Sequence, residues 1–142
     1  MKKYELTTNT KMMFGRTLFQ IRALISFGNV TAGELGGYVE KEDNLAHDGN
    51  AWVYGNAEVC GNAKVCGNED YLVIGPIGSR AAFTTFYRRD GGEIMVVCGC
   101  FHGTIDEFEK KVDQTHSNND HAKAYHTAAQ LARIRMRSDK EA

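Results

Sequence analysis

From Leu45 to Asn68 the chain alternates apolar or small residues with polar ones and turns every sixth position. Leu45, Ala51, Ala57 and Ala63 share the first place of the unit; His47, Val53, Val59 and Val65 share the third. Gly49, Gly55, Gly61 and Gly67 take the fifth, and Asn50, Asn56, Asn62 and Asn68 the sixth. A helix does not fit, because each Gly costs it about 1 kcal/mol relative to Ala. Separate hairpins do not fit either, since only four residues lie between one Gly-Asn pair and the next. The pattern predicts short strands joined by corners of one hand. Valine faces inward, alanine faces inward near the corner, and Gly-Asn turns the chain. Repeated, that unit winds a solenoid coil.

The flanks follow other periods. The apolar run 16–27 (RTLFQIRALISF) and the stretch around Tyr38 and Val39 predict strands that cap the repeat. After it, 71–75, 83–89 and 93–100 read as three strands, with Asp90-Gly91-Gly92 as a hairpin turn. Period two places Ile94, Val96, Cys98 and Cys100 on one face of the third strand, and Met95 and Val97 on the other. Thr104 with Glu107 is a capping-box signature. It opens a helix whose buried stripe is Ile105, Phe108 and Val112. A break at 117–120 precedes a last helix, about 121 to 137. Its inner side carries Ala122, Tyr125, Ala129, Ala132 and Met136, and Arg133, Arg135 and Arg137 sit near its end, where cations suit the dipole.

Composition narrows the function classes. With 17 basic and 18 acidic side chains, and neither half a polycation, binding driven by a nucleic-acid backbone is not expected. Two N-terminal lysines are followed by no apolar core, so no signal peptide is expected. The run from Leu18 to Phe27 is too short to span a bilayer and contains Gln20 and Arg22. The reading is a cytoplasmic protein whose four cysteines are thiols or metal ligands.

The segment from Phe27 to Asn68, with its Gly-Asn units, resembles the hexapeptide repeat of left-handed parallel β-helix proteins, and among them the start of phage and prophage members with no assigned reaction. Residues 77–108 resemble the small C-terminal module that follows the repeat in such proteins. The resemblance implies an α+β chain in three parts. These are an N-terminal strand cap (1–44), a short left-handed parallel β-helix coil (45–68), and a C-terminal three-stranded sheet with two helices (69–142). At three hexapeptides per coil, four units make little more than one turn. Its open edges then need covering by the flanks or by other copies, so a homo-oligomer is expected.

For chemistry, Cys98, Cys100 and His102 stand at alternate positions and form a candidate zinc set, set against the plainer reading of small buried thiols. Cys100 with His116 or His126 would make a nucleophile and base only in a cationic setting. His47 is the one histidine inside the repeat and the candidate base for acyl transfer, the reaction most associated with such repeats. The strongest cluster is Ser79, Arg80, Thr84, Thr85, Tyr87 and Arg88, which combines a glycine-loosened turn, hydroxyls, guanidinium groups and a ring. It suits an anionic ligand with a flat ring; an ordinary Thr/Tyr/Arg strand face is the competing reading.

The resulting expectation is a non-enzymatic phage or prophage binding protein of the host cytoplasm, without a cofactor unless zinc. Its partner would be a host defence protein (anti-CRISPR-like blocking) or a small signalling nucleotide held as in a sponge. The alternative is a degenerate acyltransferase or nucleotide-processing enzyme with its site at a subunit boundary.

Overall fold

The computed structural model describes residues 2–89, 91–99 and 101–136. Two four-stranded sheets and two helices make up an α+β architecture. In the first sheet β1 (Tyr4–Met13), β2 (Arg16–Ala23) and β3 (Leu35–Val39) run antiparallel, and β4 (Glu58–Val59) joins β3 in parallel. Phe14 and Gly15 close the β1–β2 hairpin at φ 54° and 74°, the primed-turn geometry that matches strand twist. The second sheet is an antiparallel meander of β5 (Tyr71–Ile77), β6 (Ala82–Arg88), β7 (Ile94–Cys98) and β8 (Phe101–Thr104). Helices α1 (Ile105–His116) and α2 (Asp120–Arg135) follow.

The expected left-handed parallel β-helix is not what forms. Within 45–68 the sole strand among the described residues is Glu58–Val59, joined by the parallel bridge Leu45↔Val65. Four units bring the chain back beside itself once, Val59 next to Val39 and Val65 next to Leu45, and leave nothing for a further coil to stack on. The ladder instead continues outward into the antiparallel β1–β3 sheet. The repeat still fills a core: Leu45, Val53, Val59, Val65, Ala57 and Trp52 are wholly buried. Gly49, Gly55 and Gly61 turn the chain at positive φ. Gly36 and Gly37 matter for a different reason, close approach: a Cβ on Gly37 would stand 2.7 Å from the Ala57 carbonyl oxygen, and one on Gly36 2.6 Å from that of Val53.

The second sheet is covered on both faces. Tyr87, Met95 and Val97 pack with the repeat and the first sheet, whereas Phe86 and Val96 pack with Phe108, Val112, Tyr125 and Ala129 of the helices. The period-two division of the third predicted strand holds for its described residues; Cys100 lies outside them. A fourth strand, β8, was not expected. The Thr104–Glu107 capping box opens α1, and the Asn119 side chain caps α2 through the Ala122 amide at 3.0 Å. All five residues expected on the inner side of α2 are buried. Arg133 and Arg135 lie in its last turn, while Arg137 falls outside the described residues.

An ionic clamp joins the helices. His126 lies 2.7 Å from Glu109 and 2.8 Å from Asp113 through its two ring nitrogens, and Arg133 pairs with Glu109 and Asp106. The Glu109 and Asp113 carboxylates raise the His126 pKa. A raised folded-state value means the clamp contributes fully below the unfolded value, about 6.5, and is lost as pH rises through the folded one. His126→Gln should therefore lower the melting temperature more at about pH 5.5 than at about pH 8.5. Equal losses at the two pH values would contradict the clamp. In the repeat, Leu45→Ala should cost about 2–5 kcal/mol by chemical denaturation, against about 0.5 kcal/mol or less for half-exposed Tyr54→Ser.

Candidate functional site

The strand β6 disperses the expected ligand cluster. Because β6 lies inside a sheet covered on both faces, Thr84, Thr85 and Tyr87 are buried. The Thr85 hydroxyl accepts the Glu58 amide at 3.0 Å, tying the sheet to the repeat. The Tyr87 hydroxyl is within 3.0 Å of His102 Nε2 and 3.6 Å of Cys60 Sγ. Arg88 donates to the Met136 carbonyl at 2.6 Å, and its Nε lies 3.2 Å from Asp70 Oδ1, near enough for an ion pair but not aligned as a hydrogen bond. These four side chains hold the fold together.

Ser79 and Arg80 stand apart from them, in the turn between β5 and β6. There they meet a cleft of about 430 Å³ that opens between this turn, the β7–β8 end of the sheet and the helices. Gly78 makes that packing possible. At φ 82° its missing Cβ leaves room for the Tyr125 ring, whose hydroxyl would sit 1.8 Å from any such atom. Phe101, Phe108, Tyr125 and Val112 supply apolar and aromatic wall. Phe108 stands edge-on to Tyr125 at 5.6 Å, and His116 lies 5.7 Å from the same Tyr125 ring. Arg80 and Lys111 add positive charge, Ser79, Thr115 and His116 add polar groups, and no carboxylate lines the cleft among the described residues. Burial pushes the Tyr125 phenol up to about 12, with Cys98 adding to the rise and the Arg80 charge opposing it. The ring is therefore neutral at ordinary pH.

Two members of the candidate zinc set, Cys98 and His102, are not brought together. Cys98 faces the helices and the cleft, whereas His102 pairs across the ladder with Val97, on the face toward the repeat. Cys100 lies outside the described residues. Among the described residues no group of three metal-ligating side chains forms. His102 instead stacks on Phe14 at 5.4 Å and closes a buried group with Tyr87 and Cys60. Burial raises the Cys60 thiol and lowers the His102 imidazole, so both are neutral and neither is a poised nucleophile or acid. His47 is also occupied: Nδ1 accepts the Lys3 amide at 3.0 Å, Nε2 lies 2.9 Å from Glu42, and the ring stacks on Tyr4. That geometry anchors the N-terminal strand.

Of the expected ligand residues the cleft thus keeps Ser79 and Arg80, and it adds Lys111, Thr115, His116 and Tyr125. A signal for the additions is present in α1. Lys111 with Thr115, and Val112 with His116, are pairs four apart that carry the buried stripe outward into a polar rim. No helix among the described residues is long and apolar enough to cross a membrane. No family model matches the chain, and no curated protein matches it.

Gly78→Ala should displace Tyr125 and distort the cleft. Tyrosine fluorescence and thermal denaturation should both change, whereas Gly91→Ala, with nothing within 4 Å of its added carbon, should leave the aromatic environment of Tyr125 as it is.

Proposed function

We propose that the protein binds, without turning over, a small anionic ligand with a flat ring, of which a nucleotide is the representative class. The observation that carries this is the cleft itself: aromatic walls, the charges of Arg80 and Lys111 in its lining, no carboxylate among the described lining residues, and a volume of about 430 Å³. Ligand cavities run from about 300 to 1,000 Å³, so a mononucleotide is of the right size. Guanidinium and ammonium groups select phosphate or carboxylate, and aromatic walls select a ring. His47, the candidate base inside the repeat, is engaged in packing and hydrogen bonds, which favours binding over catalysis.

Taken with the resemblance of the Gly-Asn repeat to phage and prophage proteins, the biological reading is sequestration of a signalling nucleotide in a host cytoplasm, a counter-defence role. Blocking of a host defence protein is the second form of that role, and it becomes the favoured one if no small ligand binds.

Native mass spectrometry and calorimetry against a nucleotide panel test the reading. A bound and chemically unaltered nucleotide is expected. Arg80→Ala and Lys111→Ala should each weaken binding about tenfold or more, the scale of one charge-assisted hydrogen bond, with little change in melting temperature. Turnover of the nucleotide, or binding indifferent to both substitutions, would contradict it.

A further inference from the structure

The cleft contains a nucleophile that simple ligand binding does not use. Cys98 lies in its wall, partly exposed, on the side that faces the helices. The Thr84 hydroxyl donates to its sulfur at 3.2 Å, and the Tyr125 side chain hydrogen-bonds it. Arg80 and Lys111 stand round the same cavity and draw anions toward it. The other described thiols lack this combination. Cys60 is wholly buried. Cys66 is exposed, but it lies outside the cleft, and its backbone amide donates to the Asp70 carboxylate.

We propose that Cys98 is a site of covalent modification by small anionic disulfides, which enter the cleft and form a mixed disulfide with it. The proposal rests on the cleft being an anion-binding cavity. In the step, the Cys98 thiol gives its proton to solvent and the thiolate attacks one sulfur of the reagent. The reagent's S–S bond breaks, a bond from Cys98 sulfur to that sulfur forms, and the other half leaves as a thiolate that takes up a proton. Cys98 is oxidised and the departing half is reduced, so no further oxidant is needed. The modification fills the cleft and makes ligand entry dependent on redox conditions.

The test uses the full chain with Cys66→Ser and Cys100→Ser, so that Cys98 and buried Cys60 are the remaining thiols. The probes are 5,5′-dithiobis(2-nitrobenzoate), an anionic aromatic disulfide, and 2,2′-dithiodipyridine, a neutral one. One thiol should react, peptide mapping should place the adduct on Cys98, and further Cys98→Ser should abolish the reaction. Lys111→Ala should slow the anionic reagent by about threefold, the effect of one nearby charge in water, and leave the neutral reagent unchanged. Added salt should act in the same direction. No reaction at Cys98 in protein shown to be folded by circular dichroism, or equal effects of Lys111→Ala on both reagents, would overturn the proposal. Nucleotide binding is measured separately on the unmodified protein. Charge-selective labelling without nucleotide binding removes the nucleotide reading and keeps the thiol site; nucleotide binding without such labelling does the reverse.

Discussion

The seam between the Gly-Asn repeat and the second sheet is the contact on which the rest of the structure depends. Glu58 donates its amide to Thr85, Lys64 donates to the Arg88 carbonyl at 2.9 Å, and Tyr54 donates to the Tyr71 hydroxyl at 3.1 Å. Around these bonds one hydrophobic cluster runs from Tyr4 and Leu18 through Trp52, Val53 and Val59 to Tyr87, Met95 and Val97. A two-residue strand such as β4 has too few ladder bonds to hold itself. It stays because its neighbours bury its apolar side and satisfy its amide. The repeat therefore acts here as the layer that closes one face of the meander.

Closing that face decides where a ligand can sit. With the repeat on one side of β6 and the helices on the other, the hydroxyls of Thr84 and Thr85 and the Tyr87 ring become internal bonds. Open space remains where the helices part from the end of the sheet, beside the β5–β6 turn. The turn delivers Ser79 and Arg80, α1 delivers Lys111 and His116, and Gly78 lets Tyr125 close in from α2. Charge and aromatic surface meet there through topology, from residues more than forty positions apart at the extremes.

Local rules read well where the deciding forces are local. The capping box at Thr104 and Glu107, the break at 117–120, the apolar stripe of α1 and the alternation of Ile94 to Val97 all involve neighbours within a turn or a strand. The β1–β2 hairpin was harder to read, because a Phe14-Gly15 turn lacks the usual Asn-Gly wording. The repeat misled at the level of architecture. Its corners and inward valines are compatible with a coil, but whether coils stack depends on how many units follow and on what covers the first. Ser79 and Arg80 were legible as a turn with a charge, whereas Lys111, Thr115 and Tyr125 were visible only as helix residues. Thr84 and Thr85 were ambiguous because a strand's burial on both faces is set by distant segments, and their residue types favour a strand in either case.

Hydrogen exchange measured amide by amide tests the seam most directly. The account predicts that the Glu58 and Lys64 amides, which cross between the layers, exchange through the same global opening as the Phe86 and Val96 amides of the second sheet, with protection equal to within about 1 kcal/mol. Fast exchange at Glu58 and Lys64 while Phe86 and Val96 remain fully protected would contradict it, because the repeat would then be a detachable flap and not the layer that buries the face of the sheet.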